Sequence, residues 1–232
     1  GVEQHLKCQR CFYLAYKHKI RPPSIPFTLN NAVDNLWKNE SDHYRAKAKP
    51  HPIFLEHEID AVPFAHEQID EWRENFKGIR YINKDEEYNF GGAVDDIWQK
   101  SSGELIVVDV KATSKKDFDW DEIYAKDYGK GYQRQLEMYQ WTLRKNGFEV
   151  AKESYLIYFN GKKYEPMFNK KLEFDLHLVK LECDDSWVEQ AVHDAVSTLK
   201  GEMPKPSKIC DNCNYLRKRW EVSQQDPSKL IE

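Results

Sequence analysis

Apolar and polar positions alternate most clearly over "GGAVDDIWQKSSGELIVVDVKATSK", Gly91 to Lys115, and predict a β-hairpin. Further strands are expected over "IFLEHEIDAV" (53–62), "GIRYIN" (78–83), "SYLIYFNG" (154–161) and "EFDLHLVKLE" (173–182). Helical spacing marks "CQRCFYLAYKHK" (8–19) and "TLNNAVDNLWKNESDHYRAKA" (28–48), the latter with Leu29, Val33, Leu36 and Trp37 on one side and Thr28 as a cap. It also marks "HEQIDEWRENF" (66–76, stopped by Gly78), a helix from about Gly131 to Lys145, and "DSWVEQAVHDAVSTLKG" (185–201, stopped by Gly201). "RPPSIPF" is a proline-rich break, and "MPKPSK" is a linker into "CDNCNYLRKRW". The pattern is an α/β chain: a central run of strands flanked by helices, with cysteines near both ends.

The hairpin carries chemistry that an ordinary buried hairpin lacks. With Ser101-Ser102-Gly103 as the turn and Gly103 at positive φ, Lys100 faces Glu104 and Asp95 falls opposite Asp109. Directly opposed residues have Cβ atoms about 4.5–5.5 Å apart, and Lys111, two residues beyond Asp109, shares its face. Val94, Val108 and Val110 are expected on the other face. Opposed carboxylates repel unless a cation compensates. Mg²⁺ or Mn²⁺ bridged by two carboxylates at about 2.1 Å is the natural one, with the Val110 carbonyl, water and a substrate phosphate completing the shell. Lys111 is placed to orient a water or to stabilise developing negative charge. Asp96, pointing the other way, reads as structural or as a second-tier candidate. On the following helix Gln135 and Tyr139 stand at i, i+4 with Tyr132 on the same side, beside Leu136, Trp141 and Leu143 for packing.

Composition narrows the classes. The chain has 232 residues, enough for one sizeable core with a small appended module, and 32% of them are charged. No apolar run approaches the roughly 20 residues of a membrane span, so no membrane is expected as partner. The net charge of −4 argues against whole-surface attraction to nucleic acid, while "KATSKK" and "YLRKRW" are local basic stretches. No phosphate-binding glycine loop is present, since "YGKGYQ" lacks the spacing, and no nucleophile elbow is found. The chain opens on Gly1 rather than Met, consistent with a native start upstream, and shows no secretory signal.

Of five cysteines, four form two C-x-x-C pairs, Cys8/Cys11 and Cys210/Cys213. Without a secretory signal, a cytoplasmic (intracellular) location is expected, and paired C-x-x-C reads as metal ligation before disulfides. Four thiolates suit Zn²⁺ or an iron–sulfur cluster alike, in a structural role because no position is left open. Cys183 is left over and reads as a small hydrophobe.

"GGAVD", "VVDVK" and "QLEMY" together resemble the G-x-x-D, (D/E)-x-K and Q-x-x-x-Y signatures of the PD-(D/E)XK nuclease superfamily, in the RecB-type branch that includes the iron–sulfur CRISPR-adaptation exonucleases. "CQRCFYL" and the late "PKPSKICDNCNYL" are similar to that branch's terminal cysteine segments. The resemblance runs from Cys8 to about Trp220. It implies a restriction-endonuclease-like core with a central mixed sheet flanked by helices, a single nuclease domain over 1–232, a cysteine clasp from 1–20 and 201–220, and a tail over 221–232. It further implies a metal-dependent DNA nuclease, as an exonuclease on single-stranded DNA or free ends, serving repair, recombination or defence. Asp95 and Asp109 would hold the catalytic metal, Lys111 would be the catalytic lysine, and Gln135 and Tyr139 would position the site. It draws the four-cysteine site toward [4Fe–4S], with Zn²⁺ the alternative. Two departures stand out. The family's early-helix His is absent, Asp34 sits nearest its place, and Glu40 and His43 are weaker candidates. The cysteines divide two and two, where the branch uses one and three. A binding module with a decayed site, and a scaffold whose acids and cysteines are purely structural, are the rival readings.

Overall fold

A computed structural model describes residues 1–24 and 28–225; the end of the proline-rich break and residues 226–232 of the expected tail lie outside the described residues. In chain order the elements are α1 (Val2–Lys7), α2 (Gln9–Lys17), α3 (Thr28–Arg45), α4 (Pro52–Glu56), β1 (Ala61–Pro63), α5 (Ile69–Trp72), β2 (Ile79–Asn83), β3 (Tyr88–Gly92), β4 (Asp96–Lys100), β5 (Leu105–Thr113), α6 (Trp120–Tyr124), α7 (Asp127–Lys145), β6 (Val150–Gly161), β7 (Phe174–Glu182), α8 (Val188–Lys200) and α9 (Asp211–Gln225). The chain divides into two compact units, one from Gly1–Ile25 with Glu189–Glu232 and the other from Pro26–Val188. Among the described residues no helix is long and apolar enough to cross a membrane.

The larger unit is built on a five-stranded sheet of order β1-β4-β5-β6-β7. It is mixed: β5 and β6 run parallel, joined through α6 and α7, and the other pairings are antiparallel. A second, two-stranded sheet pairs β2 with β3. β5 shows why the main sheet is covered on both sides. Leu105 and Val107 enter one apolar cluster with Ile97, Leu136, Tyr139 and Leu143. Ile106 and Val108 enter the other with Trp37, Phe54 and Trp98. Strand alternation sends consecutive residues to opposite faces, so "LIVV" suits a strand buried twice. The turn after β4 is tied by Gly103 N–H to Lys100 C=O at 2.9 Å and by Lys100 N–H to Glu104 C=O at 2.9 Å. Gly103 there takes φ 96°, which glycine adopts without strain.

Several expectations are corrected. Residues 53–56 are helical, not extended: Pro52 opens α4, and the His51 imidazole caps it by accepting from Ile53 N–H at 3.2 Å. Only the last part of that segment is strand, as β1. Leu29 and Leu36 are exposed, and α3 instead buries Val33, Trp37, Ser41 and Arg45 at i, i+4 spacing. Val94 does not share a face with Val108 and Val110. It joins the Ile97 and Val107 cluster, because β4 begins at Asp96 and the chain bends at Asp95. The helix expected over 66–76 is confined to α5, and α7 starts four residues before Gly131.

The smaller unit contains α1, α2, α8 from Glu189 onward, and α9. His5 lies 2.9 Å from the Thr198 hydroxyl, Arg10 donates to Pro204 C=O at 3.0 Å, and Lys17 donates to Leu199 C=O at 2.9 Å.

Asp96 is fully buried and is held by Arg45, whose Nη2 lies 2.6 Å from it, and by the Ser41 hydroxyl. A buried ion pair broken on one side leaves an uncompensated charge. Arg45→Ala is therefore expected to lower stability by about 3–5 kcal/mol, read as a fall in the urea midpoint followed by tryptophan fluorescence.

Candidate active site

The register of β4 and β5 ends on Asp96 paired with Val108, and Asp95, on the bend just before it, brings its carboxyl to that of Asp109. Asp95 sits on the bend before β4 and accepts from Val110 N–H at 2.8 Å, which ties the bend across to β5. Asp109 follows Leu105 and Val107 on the α7 side of the sheet and is 2% exposed. Lys111, two residues on, forms an ion pair with the Asp109 carboxylate. Gly92, in "GGAVD", lies directly against Tyr139: a Cβ there would meet the ring at 3.0 Å, so the glycine lets the phenol pack beside the acids.

α7 supplies the rest. The Gln135 carbonyl oxygen accepts from the Lys111 ammonium at 3.4 Å, and the Gln135 amide donates to the Tyr139 hydroxyl at 2.9 Å. The Lys111 ammonium also lies 4.7 Å above the Tyr132 ring. Lys111 is thus fixed by an acid, an amide and an aromatic face.

Asp95, Lys111 and Tyr132 border a cleft of about 610 Å³, together with Asp34, Lys38, Val110 and others, whereas Asp109, Gln135 and Tyr139 do not line it. Lys38 bridges two acids, 2.7 Å from Asp34 and 3.6 Å from Asp95. The sequence reading passed over this residue, although its i, i+4 spacing from Asp34 was the available signal. Asn30, Lys115, Tyr128 and Tyr158 also line the cleft and were not singled out. Glu40 and His43 do not line it: Glu40 lies 3.2 Å from His51, and His43 contacts Lys47 and Tyr44. Asp96 is held by α3 and takes no part in the cleft.

Burial pushes the Asp109 carboxyl up to about 7; Lys111 opposes the shift and Asp95 adds to it. Burial also raises Asp34, with a further push from Asp95 and an opposing pull from Lys38. Burial acts to lower Lys111, but Asp109 and Asp95 outweigh it, so the amine stays protonated. One oxygen of Asp34 is buried without a hydrogen-bond donor, whereas the buried Asp109 Oδ2 is the oxygen that meets the Lys111 ammonium. The interacting carboxyls of Asp95 and Asp109, with a donor-free oxygen on Asp34, make an oxygen donor set of the kind a hard divalent cation takes, and Asp95 and Asp109 are the groups that would hold it. Asp34 reaches Asp95 through Lys38, and among the described residues the acids do not form a compact cluster of three.

The four paired cysteines do form one. The Sγ atoms of Cys8, Cys11, Cys210 and Cys213 all lie within 4.8 Å of one another, joining the N- and C-terminal segments within the smaller unit, and they could hold a metal. Burial acts to raise each of Cys8, Cys11 and Cys213. Cys11 and Cys213 end up raised, while hydrogen bonds led by that from Cys11 N–H leave Cys8 lowered. Cys183 stands apart, buried in the larger unit's core, where burial raises its thiol to about 12.

A family model described as the PD-(D/E)XK nuclease superfamily matches residues 26–217. No curated protein sequence matches the chain significantly.

A raised carboxyl binds its proton more tightly folded than unfolded. Its stabilising contribution is complete below the unfolded value of 3.8 and is lost as pH rises toward about 7. In buffer without added divalent metal, Asp109→Asn should therefore gain stability relative to the unsubstituted protein as pH rises across that window. The check is denaturant unfolding of both proteins from pH 4 to pH 8, and a flat difference would refute the burial account.

Proposed function

The chain belongs to the PD-(D/E)XK nuclease superfamily, and on that premise we propose that it is a Mg²⁺- or Mn²⁺-dependent deoxyribonuclease. It acts as an exonuclease on DNA that is single-stranded or carries free ends, inside the cell, in repair, recombination or defence. The observation that carries this reading is the cross-strand pair Asp95 and Asp109 with Lys111 fixed beside it at a cleft.

Asp95 and Asp109 would hold the cation, with the Val110 carbonyl and Asp34 as further ligands. When bound, that ion neutralises a phosphoryl oxygen and acidifies a water. Lys111 donates hydrogen bonds to the scissile phosphate and to the attacking water. Gln135 and Tyr139 hold the Lys111 amine in line. Tyr128 and Tyr132 offer ring faces on which bases stack, a contact indifferent to sequence. Lys38 and Lys115 attract the phosphate backbone.

A second reading has one observation in its favour. Lys38 places an ammonium between Asp34 and Asp95, where it competes with a metal. A cleft neutralised in this way binds nucleic acid without cutting it.

The test is cleavage of end-labelled single- and double-stranded DNA with Mg²⁺ or Mn²⁺. Asp95→Ala, Asp109→Ala and Lys111→Ala are each expected to lower the rate by at least about 100-fold with the fold retained by circular dichroism. Tyr139→Phe, which removes one hydrogen bond on Gln135, should cost about tenfold. Binding at low salt with no cleavage under either metal would establish the second reading. Lys38→Met removes the competing cation and should tighten Mg²⁺ binding about tenfold, a gain on the order of 1 kcal/mol, measured by calorimetry.

A further inference from the structure

The iron–sulfur branch that the chain resembles implies a [4Fe–4S] cluster at the four cysteines, and the geometry of the sulfurs does not fit one. In a cubane each thiolate binds a different iron and the four diverge from its corners, so their sulfurs stand on the order of 6 Å apart. A [2Fe–2S] core brings two sulfurs together on each iron but keeps the two pairs a similar distance from each other. Here Cys8 and Cys213 are separated by 3.7 Å, Cys11 and Cys210 by 3.6 Å, and Cys11 and Cys213 by 3.8 Å. All three short distances run between the early pair and the late pair, and none of the four sulfurs is more than 4.8 Å from another. No division of the four onto two irons is compatible with that.

Thiolates about 2.3 Å from a single ion at tetrahedral angles lie about 3.8 Å apart, and the short separations observed meet that value. We propose that Cys8, Cys11, Cys210 and Cys213 bind one tetrahedral zinc ion rather than an iron–sulfur cluster. The flanking backbone suits this. Each C-x-x-C straddles the start of a helix of the smaller unit, Cys8 as the cap of α2 and Cys210 just before α9. Cys11 N–H donates to the Cys8 sulfur at 3.5 Å, and a backbone hydrogen bond from Ser207 reaches Cys213. Such N–H···S contacts and helix N-termini stabilise the negative charge of a tetrathiolate site. Three of the four cysteines are buried, and with four protein ligands no position remains for substrate, so the ion is structural.

The test needs no substrate, so its failure is separable from failure of the nuclease reading. The full chain is purified without added metal, once in air and once anaerobically, and its metal and acid-labile sulfide are measured. One zinc per chain, no sulfide and no absorption band near about 400 nm are expected from both preparations. Refolding with Co²⁺ should give the sulfur-to-metal charge-transfer and ligand-field bands of a tetrahedral four-thiolate site. Cys183→Ser should keep the zinc, and Cys210→Ser should lower its content; where Cys210→Ser fails to fold, the Co²⁺ spectrum of the unsubstituted chain counts the thiolates instead. Iron with equal sulfide and a band near about 400 nm, a single iron without sulfide, or zinc lost in Cys183→Ser would each overturn the assignment.

Discussion

A carboxylate buried beside a second carboxylate requires positive charge, and the larger unit is arranged around that requirement. Asp109 is almost wholly removed from solvent, its partner Asp95 is pinned opposite it by Val110 N–H, and Lys111 is the nearest cation. Lys38 lies beside Asp34 and Asp95, so two ammoniums face three acids, and burial together with the Asp95 charge raises the Asp109 carboxyl to about 7. Everything that positions Lys111 serves the same balance. Gln135 and Tyr132 restrict the amine, and Gln135 is itself anchored on Tyr139. A flexible lysine would form this pair at the expense of rotamer entropy, whereas one fixed on three sides has already lost that freedom.

The placement follows from strand periodicity. β5 is buried on both faces through "LIVV", and the next inward position on the α7 side is Asp109. Past it the strand becomes half-exposed, and Val110, Lys111, Ala112 and Thr113 border the cleft. The acid therefore stands at the end of the buried stretch of β5, next to the residues that line the cleft. The parallel pairing of β5 with β6 sets Tyr158 beside Lys111, and the long connection through α6 and α7 returns Tyr132, Gln135 and Tyr139 over the same end. Asp96, one residue from Asp95, meets a different fate because alternation turns it toward α3, where Arg45 and Ser41 neutralise it.

The hairpin was legible because turn chemistry and periodicity agreed there. Gly103 fixed the turn, and the turn fixed the register as far as Asp96 against Val108. What escaped was information carried by tertiary context. "IFLEHEIDAV" alternates like a strand, yet Pro52 and the His51 cap commit its first half to α4, and two short-range signals outweigh a period-two pattern. Leu29 and Leu36 fall on the helical stripe but remain exposed, because α3 spends its buried face on Trp37, Ser41 and Arg45 to neutralise Asp96. The bend at Asp95 was invisible to alternation, and it carried Val94 to the wrong face. Lys38 was missed for a different reason: its link to Asp34 is local, but its link to Asp95 spans the chain from α3 to the bend.

The two ligand sets solve one electrostatic problem in opposite ways. The cysteine set has four soft donors, all from protein, gathered within 4.8 Å, so a single ion fills its shell and nothing else enters. The acid set has hard oxygen donors, too few and too spread to close a shell, and it faces a cleft. A closed shell gives structure without reactivity, since no ligand is exchangeable. An open one must complete its coordination with water and phosphate, which is the condition for hydrolysis. The same contrast accounts for the charges nearby. Around the thiolates a dication would leave two of the four negative charges unmet, and backbone N–H groups face that remainder. The carboxylates keep Lys38 and Lys111 within reach, so positive charge meets them in the folded chain itself.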